Sequence, residues 1–167
     1  MMTPQKNDAQ HHNELIDNLV NLLEKGNAHV SLDDALKGIP FSLLGEKTGH
    51  LPYTIWQLAE HIRIAQWDIL EFSRNAHHIS PRWPEGYWPE EKAPASEDDW
   101  EGCIEKILAD RSDFVDLVKN SGAALYKVFD YGDGQSLLRE ALVLADHNSY
   151  HTGELIIMRR LLNVWHK

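Results

Sequence analysis

The sequence predicts an all-α fold, a bundle of four long helices, on three observations. Apolar residues recur at helical spacing in four separate stretches, alternation of period two is scarce, and a serine or threonine cap precedes two of the four. The first helix is expected over about residues 10–25, where Leu15, Leu19 and Leu22 fall at i, i+4 and i+7 beside Ile16, Val20 and Leu23; Gly26 supplies the stop. A short helix is expected over residues 31–37, with Ser31 as its cap and Asp34 three residues on. Gly38, Pro40, Gly45, Gly49 and Pro52 then mark an irregular stretch. The second long helix opens on Thr54 and Gln57, a capping box, and carries Leu58, Ile62, Ala65, Ile69 and Phe72 to about Arg74. Residues 76–96 form a loop with Trp83, Tyr87 and Trp88, long enough for a crossover or a functional lid. Ser96 and Asp99 open the third long helix, whose stripe is Trp100, Ile104, Ile107, Phe114 and Val118. In the linker from about 120 to 135, ALYKVFDYG reads as a short strand or extended segment. The fourth long helix runs from about 136 to 163 on Leu137, Ala141, Leu144, His151, Leu155, Met158 and Leu162. Four such helices pack as an antiparallel or a crossover bundle.

A chain of 167 residues is expected to be one domain, residues 1–167. The net charge of −10 opposes nucleic acid and anionic membrane as partners, because both need a cationic face. With 43 % hydrophobic residues the chain carries enough apolar material for a real core. Cys103 is the one cysteine, so no intrachain disulfide forms, which suits a cytoplasmic location; helical spacing reads its thiol as buried and inert. The N-terminal residues show no apolar signal-peptide core, and no run approaches the 18 apolar residues of a membrane span. Nucleophile-elbow, P-loop and dinucleotide-binding glycine motifs are absent from the sequence.

The unusual residue is histidine, of which there are 10. His147 and His151 stand four apart, so both project from one face of the last helix, with His151 on its apolar stripe. His61 lies on the buried side of the second long helix, between Leu58 and Ile62. Three imidazoles turned inward from two helices fit one divalent metal with room for an exogenous ligand. The bland alternative is that each is hydrogen-bonded to a neighbour. His11, His12, His29, His50, His77, His78 and His166 read as surface residues, His77 and His78 as cations at a helix C-terminus.

TIWQLAEHI in the second long helix and ADHNSYHTGELIIMRRLLNVW in the last resemble the DinB-like superfamily, over about residues 10–165. This group of metal-binding four-helix bundles includes the thiol transferases that act with bacillithiol or mycothiol. The resemblance implies that His61, His147 and His151 bind zinc or nickel, and that the bundle is up-down-down-up. The loop would then be a crossover between the second and third long helices, leaving near the His61 end. Its aromatics Trp83, Tyr87 and Trp88 would either wall the mouth of the pocket or pack as an apolar staple outside the bundle, the reading we favour. Many members carry glutamine where this chain has Glu154, and Asn163 stands where many carry glycine. Glu154 falls at i+7 from His147, as a catalytic candidate, a metal ligand, an acceptor orienting a histidine, or a surface partner of Arg139, Arg159 or Arg160.

The functional expectation is a metal-dependent enzyme that activates a thiol or water, for S-transfer from a low-molecular-weight thiol or for hydrolysis of a small molecule. Arg63, Arg159 and Arg160 are the candidates to hold the carboxylates of such a thiol. The alternatives are a non-enzymatic metal-binding or stress-related bundle, and an interaction module without metal. A homodimer is expected, with Trp67 and Trp165 as candidate interface residues. Asp110 and Arg111 read as a pair turned into the bundle.

Overall fold

The computed structural model describes residues 4–165. These residues fold into an all-helical structure of α1 (Pro4–Lys25), α2 (Leu32–Leu36), α3 (Ile55–Arg74), α4 (Glu97–Lys119) and α5 (Leu137–Leu161), with short 3-10 turns between them. His166 lies outside the described residues.

Side-chain caps hold the starts of α2, α3, α4 and α5, the first three of them predicted from sequence. Ser31, Thr54, Ser96 and Ser136 each accept from the backbone N–H three residues on, and Gln57 returns the bond to the Thr54 N–H. Gly26 takes φ +66° just past α1, where its missing side chain makes the left-handed stop inexpensive. α1 begins earlier than expected, at Pro4, in a polar segment with no apolar stripe to signal it. The segment read as a short strand or extended segment opens in a 3-10 turn over Gly122–Tyr126, turns extended at Lys127 and makes an antiparallel bridge, Val128 to Ser136, rather than a strand.

Two apolar clusters make the core. One gathers Leu36, Leu44, Ile55, Leu58, Ile62, Ile107, Leu155 and Met158. The other gathers Leu19, Leu23, Leu70, Phe114, Val118, Leu125, Leu137 and Leu144. A polar layer crosses α3, α4 and α5. Gln66, fully buried, donates to the Ile107 carbonyl at 2.6 Å and accepts from Asn148 at 3.0 Å. His61, His147 and His151 belong to the same polar stretch of α3 and α5.

Cross-helix pairs give the register. Trp56 faces Trp100, Gln66 reaches Ile107 and Arg74 reaches Asp113, so residue numbers rise together along α3 and α4. Against α5 they run oppositely: Tyr53 meets Glu154, whereas His61, further along, meets His147. The loop between α3 and α4 walks back along α3. His78 and Tyr87 bond Asp68, the Tyr87 carbonyl meets His61, the Pro89 carbonyl meets Gln57, and the Lys92 carbonyl meets Thr54. Gly45 lets Ala93 dock closely, since a Cβ there would stand 2.6 Å from the Ala93 methyl.

Arg111 is buried but does not pair with Asp110. It makes two bonds to Asp33 of α2, at 2.6 and 2.9 Å, and so clamps the short helix onto α4. Asp110 stays half-buried, and that burial raises its carboxyl pKa. No helix of the described residues is long and apolar enough to cross a membrane.

Candidate metal centre

Helix periodicity brings the three predicted histidines together. One ring nitrogen from each of His61, His147 and His151 lies within 4.8 Å of the others, and among the described residues no further histidine, cysteine or carboxylate joins them. Nε2 of His147 stands 3.1 Å from Nε2 of His61.

The surrounding acceptors decide which nitrogens carry hydrogen. The Tyr87 carbonyl, which only accepts, lies 3.0 Å from Nδ1 of His61, so that nitrogen is the donor and Nε2 keeps its lone pair. Glu154 Oε2 lies 2.7 Å from Nδ1 of His151, while its Oε1 accepts from the Tyr53 hydroxyl at 2.6 Å. His151 therefore also turns a free Nε2 inward. Nδ1 of His147 and Oδ1 of the adjacent Asn148 are buried without a hydrogen bond.

Burial favours the neutral form of His147 and His61. Burial pushes the His147 pKa down to about 4, and the neighbouring His151 and His61 add to the effect. Burial also lowers His61, against the opposing pull of the Tyr87 carbonyl. Neutral imidazoles with lone pairs directed at one another are costly unless a proton or a cation lies between them, and a divalent ion fits that donor set. Two of the three rings donate their outer nitrogen to a carbonyl or a carboxylate, the pattern that orients metal-binding histidines.

Aromatic packing stiffens this frame. Trp88 stacks on His61 with centroids 4.0 Å apart and planes 3° from parallel, and its ring also stacks on Tyr53 at 5.0 Å. Tyr53 bonds Glu154, which bonds His151, so an unbroken chain of contacts joins His61 to His151 behind the ring nitrogens. Burial, reinforced by the Glu154 carboxylate, raises the Tyr53 pKa and keeps it a hydroxyl donor.

A cleft of about 550 Å³ opens onto the histidines. Trp83, Tyr87 and Trp88 line it, which corrects the reading of these rings as a staple outside the bundle. They come to the site because the loop is tied along α3. Asp68, also at the cleft, accepts from the Tyr87 hydroxyl at 2.6 Å and bonds Nε2 of His78 at 2.7 Å. His78 is thus a part-buried partner of Asp68 rather than a surface cation at the helix end.

Glu154 contacts His151 on the ring edge away from the cluster, and its other oxygen goes to Tyr53 instead of an arginine. Arg139 pairs with Glu140. Arg63 is held by Glu60 through two 2.8 Å bonds. Arg159 is buried, donates to the Ala35 and Val164 carbonyls, and lies over the Trp165 ring. None of the three arginines proposed for a thiol's carboxylates lines the cleft. Trp67 rests edge-on against His78. Cys103 is buried as expected, and burial beside Glu60 raises its thiol pKa.

Sequence reasoning missed Tyr53, Asp68 and His78. Asp68 was accessible to it, since it stands at i+7 from His61 and so on the same face of α3. Tyr53 precedes its helix and His78 follows it, where no periodicity signals a role. Comparison with protein-family models, curated proteins and solved structures returns no match.

Proposed function

We propose that this chain is a divalent-metal-dependent enzyme of the DinB-like class, in which His61, His147 and His151 hold one zinc or nickel ion. The observation that carries the reading is three ring nitrogens, two of them with assigned lone pairs, converging at the floor of an open cleft. The architecture fits an up-down-down-up four-helix bundle with a crossover between α3 and α4, supported by the rising register of those helices and the loop that returns along α3. One buried thiol and no disulfide fit a cytoplasmic enzyme.

When bound, the ion supplies Lewis acidity that lowers the pKa of a water or thiol at its open position. The chain's own groups do the rest. The Tyr87 carbonyl and Glu154 fix the tautomers of His61 and His151. Trp88 holds the His61 ring against rotation and shields its face from water. Asp68 anchors the Tyr87 hydroxyl, and through it the carbonyl that meets His61. With no arginine or lysine in the lining, hydrolysis of a small amide or ester fits the cleft better than transfer of a carboxylate-bearing thiol.

Elemental analysis of untagged protein, beside the His61→Ala, His147→Ala and His151→Ala variants, tests the reading. The expected result is roughly one equivalent of zinc or nickel in the native chain and loss of it in each variant. No bound metal after incubation with either ion overturns it. Amide, ester and thiol-transfer substrates then separate the two reaction classes.

A further inference from the structure

We infer that the cleft before the histidines recognises a small molecule with an apolar body and an ammonium head. The identity of the reacting centre rests on the metal-dependent reading above; the evidence for the ammonium head is in the cleft itself.

Charge comes first. Asp68 and Asp146 line the cleft, Glu154 stands behind His151, and the lining includes no lysine or arginine. The charge of a divalent ion belongs in the same balance. Asp68, Asp146 and Glu154 set three carboxylates against its two positive charges, and the cleft offers a ligand carboxylates rather than cationic side chains. Apart from the ion itself, an anionic substrate would find no lysine or arginine in the lining to receive it.

The two nearest carboxylates differ in what they can do. Asp68 is engaged by Tyr87 and His78, so it contributes charge and shape. Asp146 is exposed, and among the described residues it has no hydrogen-bond or ion-pair partner. It is the counter-ion available to a ligand.

Aromatic faces supply the second element. Trp83 on the loop is 68 % exposed and Tyr150 on α5 is 64 % exposed, and both line the cleft from different parts of the chain. Trp83 makes its ring contact with Tyr87 alone among the described residues, at 5.3 Å with the planes 61° apart, and its exposure leaves ring surface for a ligand. The negative face of an indole or phenol attracts an ammonium group, most strongly when a carboxylate shares the site. Ala65, Ile69 and Val143 give the apolar surface for the body of the molecule. A cleft of about 550 Å³ is of small-molecule size.

Tryptophan fluorescence of the full, metal-loaded chain tests this, with benzyltrimethylammonium, benzyl alcohol and phenylacetate as probes. The expected order is cation, then alcohol, then carboxylate, with the cation at least about tenfold tighter than phenylacetate. Asp146→Asn is expected to weaken the cation about threefold or more and leave benzyl alcohol unchanged. Phenylacetate equal to or tighter than the cation overturns the inference, and so does the absence of saturable quenching by any probe. Metal content measured on the same samples separates the two proposals. A cation preference in a chain that binds no metal would sustain this inference while removing the enzyme reading. Metal binding with a carboxylate preference would do the reverse.

Discussion

Glu154 is where the candidate centre can be probed without touching a ligand. Its carboxylate takes Nδ1–H of His151 at 2.7 Å and the Tyr53 hydroxyl at 2.6 Å. Glu154→Ala frees the His151 ring to rotate and to exchange tautomers, and it removes the acceptor that makes Nε2 more basic. Loss of such an outer partner costs about 10- to 100-fold in metal affinity, or about 1.4–2.7 kcal/mol. Glu154→Gln retains an acceptor oxygen but not its charge, so its loss is expected between native and alanine. Tyr53→Phe leaves the bond to His151 in place, and its loss is expected to be only a few-fold. The half-buried Tyr53 hydroxyl reaches water when Glu154 is truncated, so the fold should lose only about 1 kcal/mol. Competition against a chromophoric chelator at pH 7.5 gives the affinities, and thermal melts of the chelated chains give the stabilities. Alanine binding metal as tightly as the native chain would refute the reasoning, as would Tyr53→Phe losing as much as Glu154→Ala.

Three further outcomes are expected. In the chelated chain, His147 has its pKa pushed down to about 4 by burial, whereas an unfolded histidine titrates near about 6.5. Below that higher value the unfolded chain binds more protons, so stability is fully present above about pH 6.5 and is lost as pH falls toward about 4. The His147 contribution is on the order of 3 kcal/mol, and urea midpoints that stay flat across this window would rule it out. The buried Cys103 thiol, its pKa raised by burial beside Glu60, should react with a thiol reagent only after denaturation; rapid labelling of the native chain would contradict its burial. Gln66→Leu leaves the Ile107 carbonyl and the Asn148 amide without their partner, so thermal melts should show a loss of about 1–3 kcal/mol.

The helices were legible because their stripes and caps agree. Leu137, Ala141, Leu144, His151, Leu155, Met158 and Leu162 are read from spacing as one inward face; the first six are buried and Leu162, just past the helix, is partly buried. Thr54 with Gln57 and Ser96 with Asp99 mark starts by side-chain chemistry that needs no tertiary context. Where one signal was missing, the reading failed. The residues of α1 before His11 are polar, with no stripe to announce a helix. The segment around Val128 has the composition of a strand but finds a single bridging partner, Ser136. Arg111 was read as turned inward, which it is; its partner Asp33, 78 residues away, could not be read from local spacing.

The candidate centre divides along the same line. The candidate ligand positions follow from helical geometry: His147 and His151 one turn apart, and His61 on the buried face of a helix that packs against them. What directs each ring comes from outside that pattern. For His61 it is the backbone carbonyl of Tyr87, which carries no side-chain signature at all, and whose place depends on Asp68 catching the hydroxyl of the same residue. For His151 it is Glu154, visible from its i+3 spacing as one option among several, and selected here by Tyr53, which presents its hydroxyl from before α3. The loop therefore sets the orientation of a histidine that its helix places. A substitution at Asp68 or Tyr53 can change the affinity of the site while every histidine stays where its helix puts it.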